Sequence, residues 1–127
     1  MCCYGGGFSE MRMALDVEKL ALTQKGKEAL AIESFARALR QLPVIIADNA
    51  GLDSADLIAN LRSVIHGGSE NAGIDVLKGG VGNMKEIGVY ECLKVKQQAL
   101  LSASEAAEMI LRVDEVITLT PRQRDRE

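Results

Sequence analysis

The sequence predicts a mainly α fold: a helical bundle of about four main helices, with short strands in a glycine-rich segment and at the C-terminus. Three observations carry this. Apolar residues recur at helical spacing in four separate windows of the 127 residues. Aromatic residues are confined to Tyr4, Phe8, Phe35 and Tyr90, so the core is built from Ala, Leu, Ile, Val and Met, which favours packed helices over a sandwich. Glycines concentrate between positions 66 and 93, where helical periodicity is lost.

The first helix is expected over Ser9–Leu22. Ser9 is a candidate N-cap, Glu10 suits the positive end of the helix dipole, and Met13, Val17, Leu20 and Ala21 form an apolar face. Gly26 separates it from a second helix over Lys27–Leu42, with Ile32, Phe35, Ala36, Leu39 and Leu42 on one stripe. Pro43 is expected to end or kink that helix, because it lacks an N–H and clashes with the preceding turn. "VIIADNAG" then regains a turn or two before Gly51. Asp53 starts the third helix, Leu57, Leu61, Val64 and Ile65 face inward, and Gly67-Gly68 ends it.

"AGIDVL" and "KEIGVYE" read as short strands or turns joined by a loop. The last long helix covers Lys94–Arg112, and Val95, Ala99, Ala103, Ala106, Ala107 and Ile110 give it a small-residue face. "EVITL", 115–119, reads as a terminal strand. The charged tail 121–127 is expected to be disordered.

A net charge of −3 offers no basic field for nucleic acid, and no apolar run reaches the about 18 residues of a membrane span. No secretion signal is recognised at the N-terminus. Three cysteines, two of them adjacent, make a poor disulfide framework and point to a reducing compartment, the cytosol. Cys2 and Cys3 are expected as free thiols on a mobile end, and Cys92 as a small buried apolar residue.

Gly5-Gly6-Gly7 ahead of a helix could bring backbone N–H groups against a phosphate or sugar, or could be a flexible lead-in. The run lacks the Lys-Ser/Thr ending of a P-loop, and no strand is read before it. Asp75 and Glu91 flank the glycine-rich segment. Such carboxylates can accept hydrogen bonds from ribose hydroxyls, or serve as solvated loop charges and caps. His66 has no His or Cys within four residues and reads as a helix-end residue.

Taken together, "GGGFSEM", "LPVIIADNAGLDSADLIANLR", "AGIDV", "GVYECLKVKQQALLSASEAAEMILRVDEVI" and "PRQR" resemble the C-terminal part of a group II chaperonin subunit, the family that includes the eukaryotic cytosolic chaperonin CCT (TRiC). The resemblance runs from about Tyr4 to Arg124. It implies that residues 1–120 correspond to the second half of the equatorial, ATP-binding domain. In the family the GGG motif marks the return of the chain into that domain.

By the same resemblance, Gly6 and Gly7 line a nucleotide pocket, Asp75 lies near base and sugar, and Glu91 meets the ribose hydroxyls of ATP or ADP. The family's GDGTT phosphate loop, its Mg-binding Asp and the Asp that positions water have no counterpart here. No catalytic or metal residue, and no ATPase activity of this chain alone, is therefore expected. Implied partners are other chaperonin subunits in a hetero-oligomeric double ring, and unfolded client proteins met through that complex. The alternative is a non-catalytic helical interaction module without nucleotide binding.

Asn83 departs from the family pattern, "GNM" standing for the usual "GDM", and bears on the local turn and its charge. The stripe Ile32, Phe35, Leu39, Leu42 is expected to lack part of its cover, with exposed apolar surface, self-association or a non-family rearrangement as the outcome. The terminal strand is expected to offer an unpaired edge.

Overall fold

The structure, a computed structural model, describes residues 1–117. Its elements are β1 (Cys2–Tyr4), α1 (Phe8–Thr23), α2 (Lys27–Asn49), α3 (Ser54–His66), β2 (Ala72–Asp75), β3 (Gly80–Asn83), α4 (Met84–Ile87), β4 (Tyr90–Cys92) and α5 (Leu93–Leu111). The mainly α expectation holds: α1, α2, α3 and α5 are the four main helices. Two units are separable, Met1–Leu93 and a second beginning at Lys94.

The first unit is built on α1, α2 and α3. Its core joins Met11 and Leu15 of α1, Ala47 of α2, Leu57, Leu61 and Ile65 of α3, and Ala72 and Ile74 of β2. The α3 members sit four residues apart, so they stack on one face. Val64, read as inward, is exposed. In α1 the buried face is Met11, Ala14 and Leu15 rather than the Met13–Val17–Leu20–Ala21 stripe, and Leu20 is exposed. This helix carries two apolar stripes, and periodicity alone does not choose which one meets α3 and β2.

Pro43 does not end α2, which runs unbroken from Lys27 to Asn49. Ala36, Leu39, Pro43 and Ala47 are all buried and continue one helical stripe through the proline. A proline in a helix interior costs about 3 kcal/mol. Burial of this stripe, with the ring itself fully enclosed, offsets that cost. On the same helix Leu39 is buried, whereas Phe35 and Leu42 are exposed. The expected exposed apolar surface is therefore present on α2.

Asp53 caps α3 as read, its Oδ1 accepting from the N–H groups of Ala55 at 3.1 Å and Asp56 at 3.4 Å. Beyond the helix, the Gly67 and Gly68 N–H groups close onto the carbonyls of Ser63 and Ile65. Ser9 is not the cap of α1. Gly7 holds that position, and the Ser9 hydroxyl donates to the Tyr4 carbonyl at 3.1 Å.

Glu18 ties the three helices together. Its Oε1 pairs with Arg40 of α2, and its Oε2 accepts from Arg62 of α3 at 3.0 Å. Hydrogen bonds to charged groups contribute about 1.5–3 kcal/mol. Glu18→Ala is therefore expected to lower unfolding stability by about 1–3 kcal/mol, since Arg62 is half exposed and its share is screened. Urea unfolding checks this, and a loss of only a few tenths would mean that the three helices do not depend on this node.

The glycine-rich segment resolves into two antiparallel strand pairs. β2 pairs with β3 in the register Ala72↔Asn83 to Asp75↔Gly80. "KEIGVYE" is divided between the end of α4 and the start of β4, with Gly88-Val89 between them. β4 pairs with β1, so Cys2 and Cys3 belong to a strand rather than a mobile end. Cys92 is exposed on β4 and not buried.

In the second unit, no residue of α5 is buried. Residues 113–117 take no regular structure. The rest of the expected strand 115–119, and the tail 121–127, lie outside the described residues.

Candidate functional site

A strand does precede the three glycines. β1 leads through Gly5–Gly7 directly into α1, giving the strand–glycine turn–helix order that sequence reading did not find. Gly6 and Gly7 have φ of +64° and +77°, and Gly7 is the N-cap of α1. L residues with a side chain reach this left-handed region only at a cost.

The walls of the turn are close. The Gly6 carbonyl accepts from the Ile74 N–H of β2 at 2.8 Å, and the Gly5 N–H donates to the Val89 carbonyl at 3.1 Å. A Cβ at Gly6 would lie 2.6 Å from Met84 Sδ and 3.0 Å from the Ile74 nitrogen. At Gly7 it would lie 2.7 Å from Pro43 Cβ. Met84 and Pro43 are both fully buried, so the turn is clamped between α2, β2 and α4. The glycines are required by packing whatever else the turn does.

Asp75 follows Ile74 directly and is buried. Its Oδ1 accepts from the Leu77 and Lys78 N–H groups at 3.0 and 3.1 Å, and its carbonyl accepts from Gly79 N–H at 2.9 Å. That is an Asx-type turn, which closes the β2–β3 hairpin. Glu91 comes in from the other side. On exposed β4, its Oε1 lies 3.1 Å from where a Cβ on Gly5 would stand. Ile74 of β2 thus meets Gly6 on one side of the turn, with Asp75 the next residue along β2 and turned into its own hairpin, and Glu91 lies on the β4 side.

Asn83 resolves the question raised by its departure from the family pattern. It caps α4, its Oδ1 accepting from Lys85 N–H at 3.1 Å, while its Nδ2 donates to Glu86 Oε1 at 2.8 Å. An aspartate could cap equally well, but only the amide can also donate to Glu86. Glu10, in the first turn of α1, is buried next to the glycine turn in sequence, and its burial was not legible from its charge. His66 ends α3 in an exposed position. A cleft of about 390 Å³ between α1 and α2, lined by Glu18, Leu22, Leu30 and Arg62, lies apart from the glycine turn. Among the described residues no group of three or more His, Cys, Asp or Glu could hold a metal ion, and no helix is long and apolar enough to cross a membrane.

The model of the TCP-1/cpn60 chaperonin family matches residues 1–121. The chain belongs to that family.

Among chaperonin relatives, T-complex protein 1 subunit beta of Arabidopsis thaliana is 60% identical over 121 residues, covering 95% of this chain and 23% of the relative. The Homo sapiens subunit beta is 57% identical over the same span, and the Saccharomyces cerevisiae subunit beta 48% identical over 123 residues. The chain thus spans about a quarter of the length of these chaperonin subunits, at 23% of each. A solved structure, the open-state monomer of a group II chaperonin from Methanococcoides burtonii, superposes with a TM-score of 0.85 at 46% identity. It covers 88% of this chain and 28% of its own. Over the 88% of the chain that this structure covers, the fold is therefore that of a chaperonin segment.

Proposed function

We propose that this chain forms the adenosine side of the nucleotide pocket of an ATP-dependent chaperonin subunit, within the C-terminal part of its equatorial domain. The supporting observation is the clamp around the glycine turn. Ile74 holds Gly6 with Asp75 next to it, while Glu91 reaches Gly5 from the opposite strand. Gly6, Gly7 and Asp75 shape the wall, and the Glu91 carboxylate accepts from the ribose hydroxyls. No residue here is assigned to phosphate transfer, and magnesium is assigned to ligands contributed by other parts of a chaperonin subunit.

As partners we assign other chaperonin subunits of a hetero-oligomeric ring and, through that complex, unfolded proteins of the cytosol. The exposed apolar residues of α2, and α5 with none of its residues buried, are surfaces such an assembly would cover. Those same exposed faces favour the second reading, a helical interaction module that binds no nucleotide.

Calorimetric titration of ADP, with and without magnesium, separates the two readings. It is run on the chain and on Glu91→Ala, after circular dichroism confirms equal helix content. Two hydrogen bonds to a carboxylate contribute about 1.5–3 kcal/mol each, so the substitution should weaken binding by about a hundredfold or more. Absence of binding by the well-folded parent chain would leave the interaction module as the surviving reading.

A further inference from the structure

β1 and β4 place two thiols face to face. The register pairs Cys2 with Cys92, Cys3 with Glu91 and Tyr4 with Tyr90. Hydrogen bonds from Leu93 N–H to the Met1 carbonyl at 3.2 Å, and from Gly5 N–H to the Val89 carbonyl at 3.1 Å, mark the bonded positions of this ladder. Bonded and non-bonded pairs alternate along antiparallel strands, so Cys2–Cys92 and Tyr4–Tyr90 are the non-bonded pairs. At such pairs the Cα atoms are about 4.5 Å apart and the side chains lean together on one face. A disulfide spans Cα separations of about 4.4–6.8 Å. The neighbouring pair on this face already behaves this way, with the Tyr4 and Tyr90 ring centroids 5.6 Å apart.

Cys3 is excluded by the same geometry. It projects from the opposite face, where its thiol lies 3.6 Å from the Glu91 carbonyl. Cys2 and Cys92 are both exposed and free, and therefore accessible to a soluble oxidant.

We infer that Cys2 and Cys92 form a reversible cross-strand disulfide by exchange with a low-molecular-weight disulfide such as oxidised glutathione. One protein thiolate attacks a glutathione sulfur, giving a mixed disulfide and releasing one reduced glutathione. The facing thiolate attacks the protein sulfur of that mixed disulfide, and the second glutathione leaves. Two electrons pass to glutathione, and its two departing thiolates take up the two protons lost by the protein. In a reducing compartment such a bond is transient and responds to redox poise, as intracellular disulfides usually do. It ties β1 to the strand that carries Glu91, and it does not depend on nucleotide being bound.

The test equilibrates the purified chain in glutathione buffers of graded ratio, quenches by acid, and reads intact mass, remaining thiols and the cross-linked peptide. Oxidation is expected to remove two of the three thiols, lower the monomer mass by two hydrogens and link the peptides of Cys2 and Cys92. Cys3→Ser should keep this reaction unchanged. Cys2→Ser and Cys92→Ser should abolish it and stop at mixed disulfides with glutathione. The thermal unfolding midpoint should rise on oxidation of the parent chain and of Cys3→Ser only. A Cys3–Cys92 or Cys2–Cys3 link, disulfide-bonded dimers, or mixed disulfides alone on the parent chain would each overturn the assignment.

Discussion

Gly7→Ala is expected to lose about 2–5 kcal/mol of folding stability. Two costs combine at this position. An L side chain at φ +77° costs about 1–2 kcal/mol, because Cβ crowds the carbonyl in the left-handed region. The new methyl would also stand 2.7 Å from Pro43 Cβ and 3.2 Å from Pro43 Cα. Overpacking of that kind costs about 1–3 kcal/mol where the neighbour can give way. Pro43 cannot turn to another rotamer as a flexible side chain does, so the two segments must move apart. Against a typical domain stability of about 5–15 kcal/mol this is a large fraction. Urea unfolding followed by far-ultraviolet circular dichroism measures it, with Gly80→Ala as the control, since nothing lies within 4 Å of a Cβ there. Equal midpoints for the two variants would show that the glycine turn is looser than its contacts indicate.

Leu61→Ala should cost as much, for a different reason. Leu61 is fully buried at the centre of the cluster that joins α1, α3 and β2. Truncating a buried leucine costs about 2–5 kcal/mol, the transfer loss plus the cavity left behind. The effect should reach the glycine turn, because Ile74 of β2 belongs to the same cluster and also donates the hydrogen bond that holds Gly6. Leu61→Met keeps the volume and should cost under about 1.5 kcal/mol. A small and equal loss in both variants would mean that the site does not lean on this core.

Much of this architecture is written in local signals. Asp53 and Gly67-Gly68 bracket α3 because caps satisfy backbone groups within a few residues, and such interactions are visible in a short window. Pro43 shows where local rules give way. Its cost is local, but the stripe that overrides it includes Ala47 in the core shared with α3 and β2. β1 had no local signal at all, since three residues pair with three others 88 positions further along.

The candidate site follows the same division. Gly6, Gly7, Asp75 and Glu91 stand out by residue type and by resemblance; Glu91 lies against the glycine turn at Gly5, and Asp75 follows the Ile74 that holds Gly6. What sequence left open was the job each does within the fold. "DVLKGG" carries the turn chemistry of an Asx motif, which identifies the Asp75 side chain as a hairpin closure in its own right. The approach of Glu91 to Gly5 depends on strand register alone, and register between distant three-residue strands leaves no periodic trace.

The pairing of β1 with β4 also sets an order of events. These strands are synthesised 88 positions apart, yet they form opposite edges of one small ribbon. While the ribosome is still extending the chain through α3, the glycine turn has no β4 beside it. Helices α1 and α2 can dock on each other long before that, since their contacts are close in sequence. The nucleotide-facing wall proposed here is therefore the last part of the first unit that a growing polypeptide can complete, and until Val89 and β4 emerge, the backbone groups of Cys3 and Gly5 that pair with them are an open edge that any passing strand can occupy.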